Sequence, residues 1–551
     1  MKNELILGPI LRYAGESDAT IWVETDTACE VEARVEGSAH ASPTFEVEGH
    51  HYALVRIIDL APGETYEYEV FLDGEKAWPE TDSGFPPSVI RTISPDGGFE
   101  LAFGSCRVAA PHEAPHILGA DEDSEGHGRD ALYMLALRMM EEAHEEWPDA
   151  LFLLGDQIYA DEVSPATREF IRGRRNPEEP PGEEIADFEE YTHLYHEAWR
   201  DPTIRWLLSN VPSAMIFDDH DVNDDWNISE AWVETMRKRI WWDKRIIGAF
   251  MSYWIYQHLG NLSPRELEED EIFNEVLSNN DATRVLREFA YVADREIGRS
   301  RWSFYRDFGK VRLIVMDTRA GRVLEEGDRA MIDEEEWRWI EDKANGDFDH
   351  LLFGTSLPFV MPYAVHHVET WNEAVCAGAW GKTAAKVAET VRQAVDLEHW
   401  PAFGGSFESL AELLRSAASG ERSGGKPPAS VTVLSGDVHH GYLAEMDLGG
   451  GAVAHQAVGS PIRNHLGRPE RLVLRFGWTR LGKAIGKTLA RLAGVEETKI
   501  RWRLVHDEPW FDNHISAMKL DGREARITVE KTVPEDEGKP SLRTILERRL
   551  A

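Results

Sequence analysis

The chain has 551 residues, of which 42% are hydrophobic and 10% aromatic, enough apolar material for more than one folded unit. Its 59 basic residues stand against 99 acidic ones, and the resulting formal charge of −40 excludes general binding to nucleic-acid phosphates. No apolar run approaches the roughly 20 residues of a membrane span, so we expect no transmembrane segment.

The cysteines and the N-terminal residues indicate the compartment. The three cysteines lie far apart and are odd in number, which disfavours a disulfide framework. The first apolar stretch is short and is interrupted by Gly8 and Pro9, so it lacks the continuous apolar region of a secretory signal. We therefore expect a cytoplasmic protein.

The first predicted elements are strands. Residues 19 to 70 alternate between apolar and polar positions, as in Thr20–Glu24, a pattern typical of half-buried antiparallel strands. The segment Leu60–Val70 resembles the corner of fibronectin type III-like sandwiches, in which a tyrosine holds a loop. Ser94–Gly98 is rich in turn residues. We predict a fibronectin III/Ig-like β-sandwich domain over residues 1–95.

Beyond this boundary, short apolar runs alternate with helical stretches, which predicts the α/β class with strands covered on both faces. These runs are Leu101–Phe103, Ala150–Leu154, Ala214–Phe217, Leu313–Met316, Leu351–Phe353 and Val431–Leu434. Several of them are followed directly by reactive side chains. Because ligands bind at the carboxyl ends of strands in open α/β sheets, we expect these side chains to converge.

Near the C-terminus, residues 478–493 predict an amphipathic helix. Leu481, Ile485, Leu489 and Leu492 share one face, basic residues occupy the rest, and no acid is present. We expect the apolar face to pack against the body of the protein. Membrane docking, a lid and attraction of an anionic substrate are the alternatives.

Two motifs supply acidic residues at strand ends. Asp156 and Tyr159 follow the second apolar run at a spacing that lets both reach the same side, although this motif alone fits a structural turn equally well. The segment Phe217–Asn227 contains five Asp, two Asn and one His. Such a density of acids repels itself unless cations or water neutralise it, so we favour metal binding over a solvated acidic loop.

Two further motifs add a histidine and a thiol to the candidate ligands. Asp437 and His439 project to the same side of an extended segment, so both can face a metal while Val438 packs behind them. Cys106 stands just after a strand and beside Arg107. A lone cysteine is otherwise a small core residue, and only its position beside the other strand ends favours a functional role.

Taken in chain order, the four motifs resemble those of the PhoD-like alkaline phosphatases, a branch of the metallophosphatase (calcineurin-like phosphoesterase) superfamily. The matching segments are Gly-Ser-Cys-Arg at 104–107, Gly-Asp-Gln-Ile-Tyr at 155–159, Asp-Asp-His-Asp at 218–221 and Ser-Gly-Asp-Val-His at 435–439. The resemblance implies a four-layer α-β-β-α metallophosphatase sandwich, with residues 96–470 as the catalytic domain. Residues 471–551 would then be a C-terminal extension that completes or covers that domain.

The resemblance also implies the ligands of two metal ions, which are Cys106, Asp156, Tyr159, Asp219, Asp437 and His439. Cys106 and Tyr159 would donate negative charge to Fe³⁺, His439 would serve the iron side, and Asp156 would bridge to the second ion. Oxygen-rich ligation of that second ion by aspartates favours Ca²⁺ over Zn²⁺. A metal pair without iron, drawn from Mn, Zn and Mg, is the alternative.

The implied reaction is hydrolysis of a small-molecule phosphate ester by a metal-bound hydroxide, as in a phosphomonoesterase. His220 would protonate the leaving alkoxide, Arg107 would supply a fork for phosphate oxygens, and Asn223 would hold substrate or metal. Structural roles are the alternatives for His220 and Asn223. We expect the segments Tyr363–Trp380 and Glu398–Phe407 to shape the pocket.

Two other functions remain open at this stage. Phosphodiesterase action on lipid or nucleotide diesters uses the same chemistry as phosphomonoester hydrolysis. A non-catalytic metal-containing binding protein belongs to a different class, but structural metal sites close their coordination, and His220 and Arg107 have no obvious ligand role.

Overall fold

The computed structural model describes residues 3–464, 466–536 and 539–551. Its strands are β1 Leu5–Ala14, β2 Ala19–Thr25, β3 Glu30–Val35, β4 Ser38–Pro43, β5 Phe45–Val47, β6 His50–Ile57, β7 Thr65–Leu72, β8 Glu75–Trp78, β9 Val89–Arg91, β10 Phe99–Gly104, β11 Ala150–Leu153, β12 Ser213–Met215, β13 Phe304–Phe308, β14 Val311–Met316, β15 His350–Thr355, β16 Ser430–Ser435, β17 Tyr442–Asp447, β18 Val453–Val458, β19 Arg501–Leu504, β20 His514–Asp521, β21 Glu524–Asp536 and β22 Lys539–Arg549.

The helices are α1 Ala131–Met139, α2 Pro165–Arg174, α3 Phe188–Trp199, α4 Pro202–Asn210, α5 Glu230–Met236, α6 Trp242–Tyr253, α7 Pro264–Glu269, α8 Glu271–Leu277, α9 Thr283–Arg295, α10 Glu334–Lys343, α11 Tyr363–Cys376, α12 Lys382–Ala394, α13 Gly404–Ala418, α14 Arg468–Gly477 and α15 Arg480–Leu492. Short helical turns lie at His144–Glu146, Trp254–His258, Leu259–Asn261, Trp400–Ala402 and Glu421–Ser423. Within the described ranges, none of the helices has the length and apolar character needed to cross a membrane.

The N-terminal region is all-β, as the alternating pattern predicts. Its strands form one sheet in the order β1-β2-β6-β5 and another in the order β4-β3-β7-β8, with β9 paired to β7. Strand β2 is buried along its whole length because both of its faces are covered. Ile21 and Val23 face the core between the two sheets, whereas Trp22 packs into the core of the following region. The hydroxyl of Tyr66 accepts a hydrogen bond from the Ala61 backbone N–H at 2.8 Å.

The remaining strands form two mixed sheets with helices around them. One has the order β12-β11-β10-β20-β21-β22 and the other β13-β14-β15-β16-β18-β17-β19. Strands β10, β11 and β12 are parallel, as are β14, β15, β16 and β18, so their carboxyl ends point the same way within each sheet. Each of the six apolar runs of the sequence overlaps one of these strands, which confirms that part of the prediction.

Strand β12 ends at Met215, two residues earlier than the apolar run predicts. The side-chain amide of Asn261 accepts from the Met215 N–H at 2.9 Å and donates to its carbonyl at 2.6 Å. The amide takes the place of a neighbouring strand at this edge of the sheet. Ile216 still donates to the Leu153 carbonyl at 3.1 Å, and the chain then continues into the acidic segment.

The C-terminal segment contributes to both mixed sheets. Strand β19 pairs with β17, and β20 pairs with β10 at the centre of the other sheet. The predicted boundary at residue 470 falls inside α14.

Helix α15 packs differently from the expectation. Its small residues Gly482, Gly486 and Ala490 are buried, and α15 lies against α11. A Cβ on Gly486 would come within 2.9 Å of the His367 Cβ, so the two helices approach more closely than larger side chains would allow. Leu481, at 63% exposure, points away from this contact. The prediction that the apolar face packs against the body is therefore wrong.

Candidate active site

Four side chains from different strand ends meet in the interior. Cys106 follows β10, Asp156 follows β11, Asp219 follows β12 and Asp437 follows β16. The Cys106 Sγ lies 3.3 Å from Asp156 Oδ2 and 3.2 Å from the Asp437 carbonyl oxygen. The convergence expected from the positions of these strands is present in the structure.

These side chains form two groups that have the composition of metal sites. In one, ligand atoms of Cys106, Asp156 and His439 all lie within 4.8 Å of one another. In the other, carboxylate oxygens of Asp156, Asp218 and Asp219 do the same. Asp156 belongs to both groups, which is the position a bridging ligand requires.

The backbone at these positions is strained. Cys106, Asp156, Asp437 and His439 have φ values of 54°, 51°, 66° and 50°, in the left-handed region that residues other than glycine rarely adopt. Such strain concentrates at functional sites, where the surrounding structure holds it in place. Here the Asp437 N–H donates to Ser105 Oγ at 3.2 Å.

Asp221 holds two of the strand ends together. Its Oδ2 accepts the backbone N–H of Asp156 at 3.0 Å and that of Asp218 at 2.9 Å, and its Oδ1 accepts from Gln257 at 3.0 Å. Burial raises the pKa of Asp221 to about 7, against the opposing effect of these hydrogen bonds. The side chain therefore acts as a brace for the loops after β11 and β12.

Arg319 supplies positive charge at the centre of the acidic cluster. The guanidinium is fully buried and donates through Nε to Asp218, while its Nη2 lies 3.2 Å from Asp219 Oδ1 and 3.7 Å from Asp437 Oδ1. Its Nη1 contacts Glu398 Oε2 at 2.5 Å. No signal in the sequence assigns this role to Arg319, because its carboxylate partners come from three distant segments.

One arginine does not satisfy all of these acids, and the site fits a cation. Asp156 Oδ1, Asp218 Oδ2 and Asp219 Oδ1 are buried and have no hydrogen-bond partner. Burial raises the pKa of Asp156 well above its usual range, opposed by the charge of His220 and reinforced by repulsion from Asp218 and Asp219. Leaving several carboxylates buried and unpaired is costly, and metal ligation is the usual solution.

The thiol and the phenol stand in the same low-dielectric environment. Burial raises the pKa of Cys106 well above its usual range, and the charges of Asp156 and Asp437 raise it further. Burial and the charges of Asp156 and Cys106 also raise the pKa of Tyr159 well above its usual range. The Tyr159 hydroxyl accepts from Asn464 Nδ2 at 3.0 Å. Both groups can become anionic ligands only beside a strong positive charge.

The His220 ring is held by a carboxylate and lies beside Tyr159. Its Nδ1 lies 3.0 Å from Asp161 Oδ1, and its ring centre lies 4.8 Å from that of Tyr159. Burial alone would lower the pKa of His220, but Asp161 and Asp219 raise it well above the usual value. These carboxylates therefore favour the protonated form of the imidazole.

The side chains of Arg107 and Asn223 contact groups other than the candidate metal ligands. The Arg107 guanidinium is buried, donates through Nε to Asp130 Oδ2 at 2.9 Å and through Nη1 to the Ala198 carbonyl at 2.8 Å. Asn223 Nδ2 donates to the carbonyl of the adjacent Asp224 at 2.9 Å. The other seven predicted residues are brought together.

A histidine and a glutamate that the motifs do not identify extend the site. His399 Nε2 lies 3.0 Å from Asp437 Oδ2, and His399 Nδ1 lies 2.7 Å from Glu369 Oε1. Burial alone would raise the pKa of Asp437, but His399 and Arg319 lower it to about 2. Both residues lie in the two segments predicted to shape the pocket, yet no local pattern marks them as contacts of Asp437.

Comparisons with known proteins agree with this geometry. Residues 127–346 match the family of PhoD-like phosphatases, and residues 2–90 match a domain of unknown function, DUF7800. The first match contains Asp156, Tyr159, Asp219 and His220. A comparison with curated proteins found no match.

Among solved structures, the structure of PhoD is 13% identical in sequence, with a TM-score of 0.58, and the match covers 99% of this chain and 92% of that one. This likeness shows a shared fold. A maltogenic amylase from S. marinus is 11% identical, with a TM-score of 0.15 over 97% of this chain and 80% of that one. A type III pullulan hydrolase from Thermococcus kodakarensis is also 11% identical, with a TM-score of 0.14 over 97% and 96%. Neither TM-score indicates a shared fold. Residues 127–346 therefore form a PhoD-like phosphatase domain, and together with the converging strand ends this match shows that the protein is a phosphoric ester hydrolase.

Proposed function

We propose that the protein hydrolyses phosphate monoesters of small molecules at a binuclear metal centre. The ligands are Cys106, Asp156, Tyr159, Asp219, Asp437 and His439. The observation that carries this proposal is the membership of Asp156 in both groups of candidate ligands. When bound, a metal pair of this kind polarises the phosphate and activates a water molecule for attack on phosphorus.

The donor set supports iron on one side and calcium on the other. Cys106 and Tyr159 are buried and hold their protons tightly without a cation, so a small trivalent ion such as Fe³⁺ is the partner that suits them. Asp219 and Asp437 offer hard oxygen ligands, which favour Ca²⁺. Asp219 Oδ1, which is buried, has an ion-pair contact with Arg319 but no hydrogen bond, and this supports the assignment.

The protein residues around the metals have distinct proposed tasks. His220 donates the proton that the leaving alkoxide needs, because Asp161 keeps the imidazole protonated. Arg107 remains a predicted fork for phosphate oxygens, which requires it to leave Asp130. Asn223 remains a predicted contact of substrate or metal.

For the architecture, we propose that the two mixed sheets and their helices form the four-layer metallophosphatase sandwich. Residues 1–95 would be the β-sandwich domain, 96–470 the catalytic domain and 471–551 the extension. The pairing of β20 with β10 and of β19 with β17 supports an extension that completes the catalytic domain.

The decisive experiment replaces Asp156 by Asn. We expect the variant to lose metal and its turnover of an aryl phosphate to fall by at least about 100-fold, because both ions lose a shared ligand. The matched control is Asp149→Asn, which changes a half-buried aspartate just before β11 that accepts the Glu100 N–H. A variant of Asp156 that keeps its metal and full turnover would remove the bridging role.

Metal identity and substrate class have their own tests. Ferric thiolate and phenolate absorb visible light, so the purified protein should be coloured and should contain iron. A colourless, iron-free and fully active preparation would remove the iron assignment. Comparing turnover of a mono-aryl and a bis-aryl phosphate distinguishes a monoesterase from the alternative, a phosphodiesterase.

A further inference from the structure

Helices α14 and α15 expose a group of large apolar side chains, which we call the α14–α15 surface. Its apolar members and their exposed fractions are Leu472 65%, Val473 67%, Phe476 43%, Leu481 63%, Ile485 50% and Leu492 67%. Isolated exposed leucines are ordinary on a protein surface, but a concentration of this size on two consecutive helices marks an interaction site.

The same two helices are strongly basic. They contain seven arginine and lysine residues and one glutamate, in a chain with a net charge of −40. The basic residues are Arg468, Arg471, Arg475, Arg480, Lys483, Lys487 and Arg491. Lys487 and Arg491 pair with Glu497, and Arg475 pairs with Glu508, but these pairs are substantially exposed and therefore weak.

The exposed apolar side chains are not the face through which α15 packs on the body of the protein. Helix α15 already packs on α11 through Gly482, Gly486 and Ala490. The small residues form the inner face of the helix, and the long apolar side chains Leu481 and Ile485 are left on the outside. Among the described residues nothing buries them, so they are available to a partner.

We propose that the α14–α15 surface docks on an anionic phospholipid membrane. Amphipathic helices that combine cationic side chains with exposed leucine and phenylalanine lie in the boundary between headgroups and acyl chains. Anionic headgroups complement the basic residues, and the acyl region accepts the apolar ones. An acidic protein surface, including that of a second copy, would neutralise the charges but leave the apolar side chains in water.

The surface is linked to the candidate active site through two contacts. Just before α14, Asn464 donates to the Tyr159 hydroxyl at 3.0 Å. Helix α11, on which α15 packs, carries Glu369, the partner of His399. Docking would therefore hold the site close to the membrane. The proposal does not depend on the metal centre or on the nature of its substrate.

The test is cosedimentation of the full-length protein with phosphatidylcholine vesicles, with and without phosphatidylglycerol. We expect binding to the anionic vesicles only, weakened by salt. In Arg480→Glu/Lys483→Glu, the affinity should fall by about 20-fold or more, because each basic residue near the surface contributes substantially. Leu481→Ser/Ile485→Ser should also bind more weakly.

Two substitutions outside the surface serve as controls. Ile240→Ser changes a side chain that is 94% exposed, and Arg284→Glu reverses an exposed charge on α9. Both should bind like the original protein, and circular dichroism should show all four variants folded. Absence of vesicle binding, or binding that survives both surface variants, would overturn the proposal. Dimerisation in ultracentrifugation that both surface variants abolish, without vesicle binding, would assign the surface to a second copy and overturn it as well.

Discussion

His220 Nδ1 lies 3.0 Å from Asp161 Oδ1, and this contact leaves the opposite ring nitrogen, Nε2, available to donate. Asp161 is itself held, because its Oδ2 accepts the Asp224 N–H at 2.5 Å. The pair resembles other carboxylate–histidine arrangements in which the carboxylate orients the ring and stabilises its charged form. Asp161 therefore acts through His220 and is a positioning residue.

Replacing Asp161 by Asn should reduce kcat by about 100-fold for alkyl phosphates, because an alkoxide needs a proton as it leaves. Aryl phosphates with acidic leaving groups should lose much less. Without Asp161 the pKa of His220 falls, so the alkaline limb of the kcat profile should move to lower pH. Steady-state kinetics on two substrates over a range of pH measures both effects.

The control for this prediction is Asp224→Asn. Asp224 Oδ1 lies 3.9 Å from His220 Nε2, but its side chain is 62% exposed, so water screens its charge. We expect a small effect that does not depend on the leaving group. If Asp161→Asn reduced both substrates equally, its role would be structural, and the assignment of His220 as the acid would fail.

Glu369 positions His399, which in turn contacts Asp437. Because partners of a metal ligand set its orientation, Glu369→Gln should weaken binding of the second cation by about 10- to 100-fold. Titration of metal-depleted protein with Ca²⁺, followed by recovery of turnover, measures this affinity. The expected loss is in metal affinity, with turnover restored at high Ca²⁺.

Glu373 on the same helix is the matched control. It accepts the Gly404 N–H at 2.9 Å, and burial raises the pKa of its carboxyl to about 7. It is not a partner of His399. Glu373→Gln should leave Ca²⁺ affinity unchanged, and equal losses in both variants would indicate a general disturbance of α11 instead of a specific contact.

The sequence predicted the convergence of those candidate ligands that directly follow a buried strand. The apolar runs before Cys106, Asp156 and Asp437 are buried on both faces, so a strand followed by a ligand is visible in the order of residues alone. The parallel arrangement of these strands then brings the ligands together. The family resemblance identified ligands of one metal centre that lie too far apart in the sequence for any local spacing to connect them.

The remaining features depend on packing between distant segments. Arg319 and His399 contact carboxylates that follow different strands, and the contacts exist only once the sheets and loops are in place. Helix periodicity correctly grouped Leu481 with Ile485 but could not say which face would be buried. The glycines of α15 decide that question, because they permit a closer approach than the leucines do.

Arg319 neutralises a buried cluster, and its loss should destabilise the protein. Replacing it by Met leaves Asp218 and Glu398 buried without their main cation, which typically costs about 3–5 kcal/mol. Arg319→Lys should be less destabilising, because it keeps the charge but loses the fork. Thermal unfolding with and without Ca²⁺ measures the effect. Added cation should restore part of the stability of the Met variant, and a Met variant as stable as the original would contradict the role.

Glu24 joins the N-terminal all-β region to the helices of the following region. This fully buried carboxylate contacts His50 Nδ1 at 3.1 Å and His196 Nε2 at 2.8 Å, and it accepts from the Tyr256 hydroxyl at 2.9 Å. The other ring nitrogen of His50 lies 2.8 Å from Glu189 Oε2 on α3. The contact therefore connects β2 and β6 to α3 and to the turn after α6.

The ion pairs of His50 with Glu24 and Glu189 should make the free energy of unfolding depend on pH. Burial alone would lower the pKa of His50, but Glu189 and Glu24 raise it from 6.5 to about 9. A raised pKa means that the protonated form stabilises the fold fully below pH 6.5 and that this contribution is lost as pH rises through about 9. His50→Gln should therefore cost on the order of 2 kcal/mol at low pH and little at high pH. Thermal midpoints of both proteins across this range should converge as pH increases, and a constant difference would show that His50 contributes through packing instead of charge.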